Sequence, residues 1–167
     1  MPLFEGRWLL KARDFSKLLD AAKIRPTDLV LDIGFGRGYS SAVIAHLASV
    51  VVGLEDNEAA IADATSTCAD FGFDNTAFVE GPLSEGYAEQ GPYDVIVIAA
   101  GVEELPEALF DQLNPAGGRL VTIEMKRGVG HAMLYTRHED AIGDRRLFEC
   151  HPAGVLSGFA REAGFVF

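Results

Sequence analysis

Asp32, Gly34, Gly36 and Gly38 stand at alternate positions in Val30-Leu31-Asp32-Ile33-Gly34-Phe35-Gly36-Arg37-Gly38-Tyr39. A carboxylate at the end of an apolar strand can accept hydrogen bonds or face a cation. Glycines directly after it let the backbone come close to a ligand, because they lack a Cβ and tolerate positive φ. A helical-looking run, Ser40 to Ala48, follows. Strand, glycine turn and helix in this order build a ligand-binding edge on a parallel sheet.

The spacing narrows the ligand. A dinucleotide turn reads G-x-G-x-x-G, and its third glycine would fall on Tyr39. A phosphate-cradling turn needs Lys and Ser or Thr after its glycines, and no Lys follows here. Asp32 would repel a pyrophosphate but suits a cation. S-adenosylmethionine carries a sulfonium and an α-ammonium, and no phosphate. The next apolar run, Val50 to Leu54, ends at Glu55, 21 residues after Gly34. A carboxylate there can accept hydrogen bonds from both ribose hydroxyls, as at the acidic position of nicotinamide-cofactor sites. A glycine-rich turn without a ligand is the alternative.

These residues need a frame to position them. Phe15, Leu18, Leu19 and Ala22 share one helical face over about residues 13–23, and Pro26 ends that helix. Leu29 to Ile33 reads as a buried strand. Asn57 is placed to cap a helix whose inner face would hold Ile61, Ala64, Cys68 and Phe71, closed by Gly72. Thr76 to Val79 and Tyr93 to Ala99 read as the third and fourth strands, and Asn114 to Gly118 as a turn. Pro106 suits a first helical turn, with Leu105, Leu109 and Leu113 inward. Leu120 to Met125 is the fifth strand. His131 to Arg137 and Arg145 to Cys150 flank the polar turn Glu139 to Asp144 as an antiparallel hairpin, and Gly164 to Phe167 suits an edge strand. The fold expected is a single α/β domain over residues 1–167. Its doubly wound, Rossmann-like sheet is mostly parallel with antiparallel C-terminal strands.

Composition bounds the partners. The chain has 167 residues, 49% of them hydrophobic, enough for one sizeable core. The formal net charge is −11, which disfavours sequence-independent nucleic-acid binding. No apolar run approaches the roughly 20 residues that span a bilayer, so no membrane partner is expected. The start, Met1-Pro2-Leu3-Phe4-Glu5, lacks signal-peptide features, and the cytoplasm is the expected compartment. Cys68 and Cys150 have no metal-ligand spacing, and no metal site is expected. His46 reads as structural, and His131, His138 and His151 as surface residues.

Taken together, VLDIGFGRGYSSAVIAHLA, VVGLE, PYDVIVIAA, LPEALFDQLNPAGGRLV and the tail GFAREAGFVF resemble the protein-L-isoaspartate O-methyltransferases. This family lies within the class I S-adenosylmethionine-dependent methyltransferases. The resemblance implies that Asp32, Gly34, Gly36 and Gly38 surround the methionine part of the cofactor and that Glu55 binds the ribose. S-adenosylhomocysteine would be the product. The cofactor-binding candidates are then Asp32, Gly34, Phe35, Gly36, Gly38, Tyr39, Ser40, Glu55, Asp56, Gly81, Pro82 and Leu83. Tyr39 and Ser40 could meet the cofactor carboxylate, and the Leu83 N–H an adenine nitrogen.

The departures from the family fall on the acceptor side. Where the family has a segment resembling G-Q-T-I-S-Q-P, this chain reads Gly6-Arg7-Trp8-Leu9-Leu10-Lys11-Ala12. Trp8 and Leu10 replace the hydroxyl residues that help hold an isoaspartyl substrate. The family's G-D-G motif reads Gly81-Pro82-Leu83, without the acid that lies near the adenine amino group. The family also has several helical turns ahead of this segment, whereas this sequence starts almost at it. A second copy or a partner protein would cover the apolar surface those turns shield, so a homodimer is expected.

A carboxylate acceptor, small-molecule or protein, is ionised at neutral pH and needs no general base. Acceptor-side candidates are Arg7, Trp8 and Lys11, with Val102, Glu103 and Glu104 after the fourth strand. Arg7 or Lys11 could pair with the acceptor carboxylate. Trp8 could instead pack on the first helix, and Asp94 could serve either the cofactor or a strand-end turn. Two other functions stay open: a degenerate cofactor- or partner-binding scaffold, and a methyltransferase for another nucleophile.

Overall fold

The computed structural model describes residues 1–4 and 6–161. The apolar runs of the middle of the chain form its central strands, because a run buried on both faces needs neighbours on each edge and helices above and below. A small hairpin, β1 (Pro2–Phe4) and β2 (Arg7–Trp8), opens the chain and is followed by α1 (Ala12–Ala22). Then come β3 (Leu29–Ile33), α2 (Tyr39–Ala45), β4 (Val50–Glu55), α3 (Glu58–Asp70) and β5 (Thr76–Glu80). After two short 3₁₀ turns follow β6 (Val95–Val102), α4 (Glu107–Asp111), β7 (Ala116–Lys126), β8 (Val129–His138) and β9 (Ala141–Cys150).

Among the described residues the main sheet has the order β5-β4-β3-β6-β7-β8-β9. β3 pairs in parallel with β4 and β6, β4 with β5, and β6 with β7; β8 and β9 are antiparallel. Alternation splits the strands between two cores. Val30, Val51, Val95 and Val121 pack beneath α1 and α2 with Phe15, Leu18 and Ile44. Leu31, Val52, Ile96 and Leu120 face the other layer with Leu109 and Leu113. Chain order reverses on either side of β3, so a crevice opens beyond the C-terminal ends of β3, β4 and β6. Open α/β sheets bind ligands at such a switch point.

Several expectations shift. The helix after the glycine turn stops at Ala45 rather than Ala48, and the fourth strand runs from Val95 to Val102 rather than Tyr93 to Ala99. Phe71 does not join the inner face of α3. It caps the helix end at 76% exposure, and the buried face is Ala60, Ala64 and Cys68. Leu105 is only partly buried, unlike Leu109 and Leu113. Asn57 caps α3 as expected, its side chain accepting the Ala60 N–H at 2.9 Å. The strand expected at Gly164 to Phe167 lies outside the described residues. None of the helices in the described residues is long and apolar enough to cross a membrane.

Candidate functional site

The glycine turn hangs off the end of β3. Gly34, Gly36 and Gly38 all have positive φ, 73°, 64° and 86°, which only glycine adopts without strain. The three differ in what they make room for. A Cβ on Gly38 would lie 2.9 Å from the Ala64 Cβ, so Gly38 lets α2 begin close against α3. A Cβ on Gly34 would meet Leu156 at 3.0 Å, and one on Gly36 would meet Leu3 at 2.7 Å. The Gly34 N–H is held by the Leu54 carbonyl at 2.9 Å. Phe35 is buried and stacks at a tilt on Phe78, with ring centroids 4.8 Å apart.

Two carboxylates lie beneath this turn, both fully buried. Asp32 ends β3. Its Oδ2 accepts hydroxyl hydrogen bonds from Ser40 at 2.6 Å and Ser41 at 2.7 Å. Its Oδ1 has no donor among the described residues. Burial pushes the Asp32 carboxyl up to about 6; the two serine donors pull it back, and the Glu55 charge adds to the rise. Glu55 ends β4 and is saturated. It accepts the Gly36 N–H at 2.9 Å, the Asp56 N–H at 3.0 Å, and a forked pair from Arg7, Nε at 3.1 Å and Nη2 at 2.6 Å. Arg7 Nη2 also reaches the exposed Asp56 at 2.5 Å.

Arg7 is paired within the chain, its guanidinium buried on Glu55 and Asp56, and it also borders the cavity beside the entry segment. Trp8 is 40% exposed, and its ring lies over Gly154, where a Cβ would meet it at 2.7 Å. Lys11 is exposed at the start of α1. A cavity of about 100 Å³ lies between this entry segment and the end of β6, with Trp8, Lys11, Gly34, Gly101, His151 and Gly154 in its wall. Glu103 does not line it. Its side chain accepts the Arg161 N–H at 2.9 Å, and the Glu103 and Glu104 N–H groups both bond the Phe159 carbonyl. Val102 is buried in the core.

The remaining candidates separate in the same way. The Tyr39 ring turns to Phe15 at 6.0 Å and lines an open groove between α1 and α2. Gly81 follows β5 and donates its N–H to the Glu55 carbonyl at 3.1 Å. Pro82 leads into a 3₁₀ turn whose Leu83 side chain is core. Asp94 takes the strand-end role, accepting from the Leu29 N–H and from Asn114. His46 packs edge-on against Phe73 at 4.9 Å. Sequence reasoning missed Ser41, Leu3 and the loop His151–Gly154. Only Ser41 carried a signal, as a second hydroxyl one step along the helix from Ser40.

Comparison with known proteins agrees with this geometry. The family model for protein-L-isoaspartate(D-aspartate) O-methyltransferase matches residues 11–150. The protein-L-isoaspartate O-methyltransferase of Koribacter versatilis is 38% identical over 72% of this chain and 54% of its own length. That of Roseobacter denitrificans is 25% identical over 97% of this chain and 76% of its own. A solved protein-L-isoaspartate O-methyltransferase superposes with a TM-score of 0.77 at 27% identity, covering 86% of this chain and 46% of that one. The chain thus spans about half the length of the first of these relatives and of the solved structure. It belongs to the protein-L-isoaspartate O-methyltransferase family, whose members are S-adenosylmethionine-dependent methyltransferases.

Proposed function

We propose that this chain binds S-adenosylmethionine along the C-terminal edge of β3, β4 and β6 and methylates a carboxylate. The observation that carries this reading is Asp32, a fully buried carboxylate under a turn of three positive-φ glycines, with one oxygen lacking a donor. Buried charges are ordinarily paired or hydrogen-bonded, so Oδ1 asks for a donor, and an α-ammonium is one. Glu55 has the chemistry to accept a ribose diol. Gly81 and Leu83 border the adenine end, where Pro82 leaves no acid. The residues present therefore fit the cofactor at its methionine part, while at the ribose part the Glu55 oxygens are taken by Arg7.

When bound, S-adenosylmethionine supplies an electrophilic methyl group on sulfur. The chain's own contribution is orientation and exclusion of water. In the unliganded chain Trp8 and the loop His151–Gly154 close the small cavity over Gly34 and Gly101. An acceptor carboxylate there is already ionised and needs no base. Of the cationic or donor side chains in that wall, Arg7 is already paired with Glu55 and Asp56, which leaves Lys11 and His151 to hold it. With Trp8 and Leu10 in place of hydroxyl residues, the acceptor need not be an isoaspartyl chain. One observation favours a second reading, a scaffold without transfer activity: Glu55 is already satisfied from within by Arg7.

The test supplies labelled S-adenosylmethionine with isoaspartyl peptide, aspartyl peptide and small carboxylic acids. Methyl label that mild base releases as methanol marks ester formation and supports the proposal. Transfer of a base-stable methyl would assign another nucleophile. Neither transfer nor cofactor binding would leave the scaffold.

A further inference from the structure

The hairpin β1–β2 occupies the ground that the proposed function gives to the nucleoside. Leu3 fills the space that Gly36 leaves open, with its Cδ1 2.7 Å from where a Cβ would stand. Arg7 presents Nε and Nη2 to the two oxygens of Glu55. A guanidinium fork meets a carboxylate bidentately, and a vicinal diol offers the same carboxylate two donors in the same way. The Arg7 fork and a ribose therefore compete for the same acceptors. Phe4 lies below the guanidinium at 5.9 Å, and Nη2 reaches on to Asp56. The hairpin itself is slight, with strands of three and two residues. Two-stranded hairpins of this size do not hold alone in water, so these contacts with the glycine turn and the β4 end are what seat it.

We propose that the strands β1 and β2 are a built-in competitor for the nucleoside half of the site, with Arg7 in place of the ribose hydroxyls and Leu3 seated on the glycine turn. This rests on the cofactor reading above. Loading then requires the hairpin to lift, and apparent affinity is reduced by the fraction of molecules in which it is lifted. The same movement carries Trp8 off Gly154. Cofactor arrival therefore reshapes the wall of the acceptor cavity, and an acceptor slot suited to catalysis forms only in the loaded protein.

Trp8 is the sole tryptophan of the chain, so its emission reports the hairpin directly. S-adenosylhomocysteine is titrated into the wild type, Arg7→Ala and Leu3→Ser by calorimetry, with Trp8 emission followed in parallel. The expected result is about tenfold tighter binding by both variants. Trp8 emission of the free variants should already lie toward that of the saturated wild type. Leu3→Ser leaves the Arg7–Glu55 pair in place, so it carries the test if Arg7→Ala does not fold. Equal or weaker binding by the folded variants, or Trp8 emission unmoved at saturation, overturns the competitor while the cofactor reading stands. No binding by any of the three chains overturns both.

Discussion

Asn in place of Asp32 should make the protein more stable at neutral pH and a poorer cofactor binder. In the unfolded chain the Asp32 carboxyl titrates near 3.8, and in the fold burial moves it to about 6. Between these values the folded state holds a proton that the unfolded state has lost. Stability contributed by this group is therefore full below about pH 3.8 and falls as pH rises toward 6. Each pH unit across that interval is worth about 1.4 kcal/mol, so the ionised carboxylate costs the fold about 3 kcal/mol above pH 6. Asp32→Asn removes this cost. Its amide oxygen still accepts from Ser40 and Ser41, and its NH₂ takes the place of the unpartnered Oδ1, which discounts the gain to about 2 kcal/mol. The assay is urea unfolding of both proteins at several pH values from 4 to 8. The variant should match the wild type near pH 4 and exceed it by about 2 kcal/mol at pH 7. Parallel stability curves for the two proteins across that range would refute the reasoning, because the buried charge would then not be unbalanced.

Three further outcomes follow from the same geometry. The double substitution Ser40→Ala, Ser41→Ala removes the two hydroxyl donors that lower the Asp32 carboxyl; its pH-dependent loss of stability should reach above pH 6, seen in the same unfolding series. Gly38→Ala forces a side chain into positive φ and against the Ala64 Cβ at 2.9 Å; it should cost about 2–4 kcal/mol in urea unfolding. Pro82→Asp restores an acid where the family has one, at a backbone conformation of φ −63° and ψ 122° that Asp adopts freely; it should tighten S-adenosylhomocysteine binding up to about tenfold by calorimetry, with no loss of thermal stability.

The glycine turn and the central strands were legible because their signals are local. Asp32 and the alternate glycines specify a strand-to-helix turn within seven residues of chain, and Leu29–Ile33 is too apolar to lie anywhere but between neighbours. The β8–β9 hairpin announced itself through polar residues between two β-prone runs, although its turn is only Glu139 and Asp140, and residues 141–144 of the expected turn pair as strand. Phe71 misled because helical periodicity alone does not say where a helix stops. α3 meets the sheet layer through the small residues Ala60, Ala64 and Cys68, and Phe71, just past its end, projects into solvent. Arg7 has partners that its sequence neighbourhood does not reveal. A cation near the acceptor segment suggests an acceptor carboxylate, yet two protein carboxylates 48 and 49 positions along the chain take it first. Pairings over that distance, like Leu156 against Gly34, depend on how loops close over the sheet and leave no mark in local spacing.

The most direct test of the cofactor site is residue-specific: the ¹H–¹⁵N spectrum of the isotopically labelled chain, recorded as S-adenosylhomocysteine is added. The amides of Gly34, Gly36, Glu55, Asp56, Gly81 and Gly101 should shift together and saturably. Those of Gly117 and Gly118, at the start of β7, should stay in place. Saturable shifts confined to another part of the molecule, or none at millimolar ligand, would contradict a cofactor site at the ends of β3, β4 and β6.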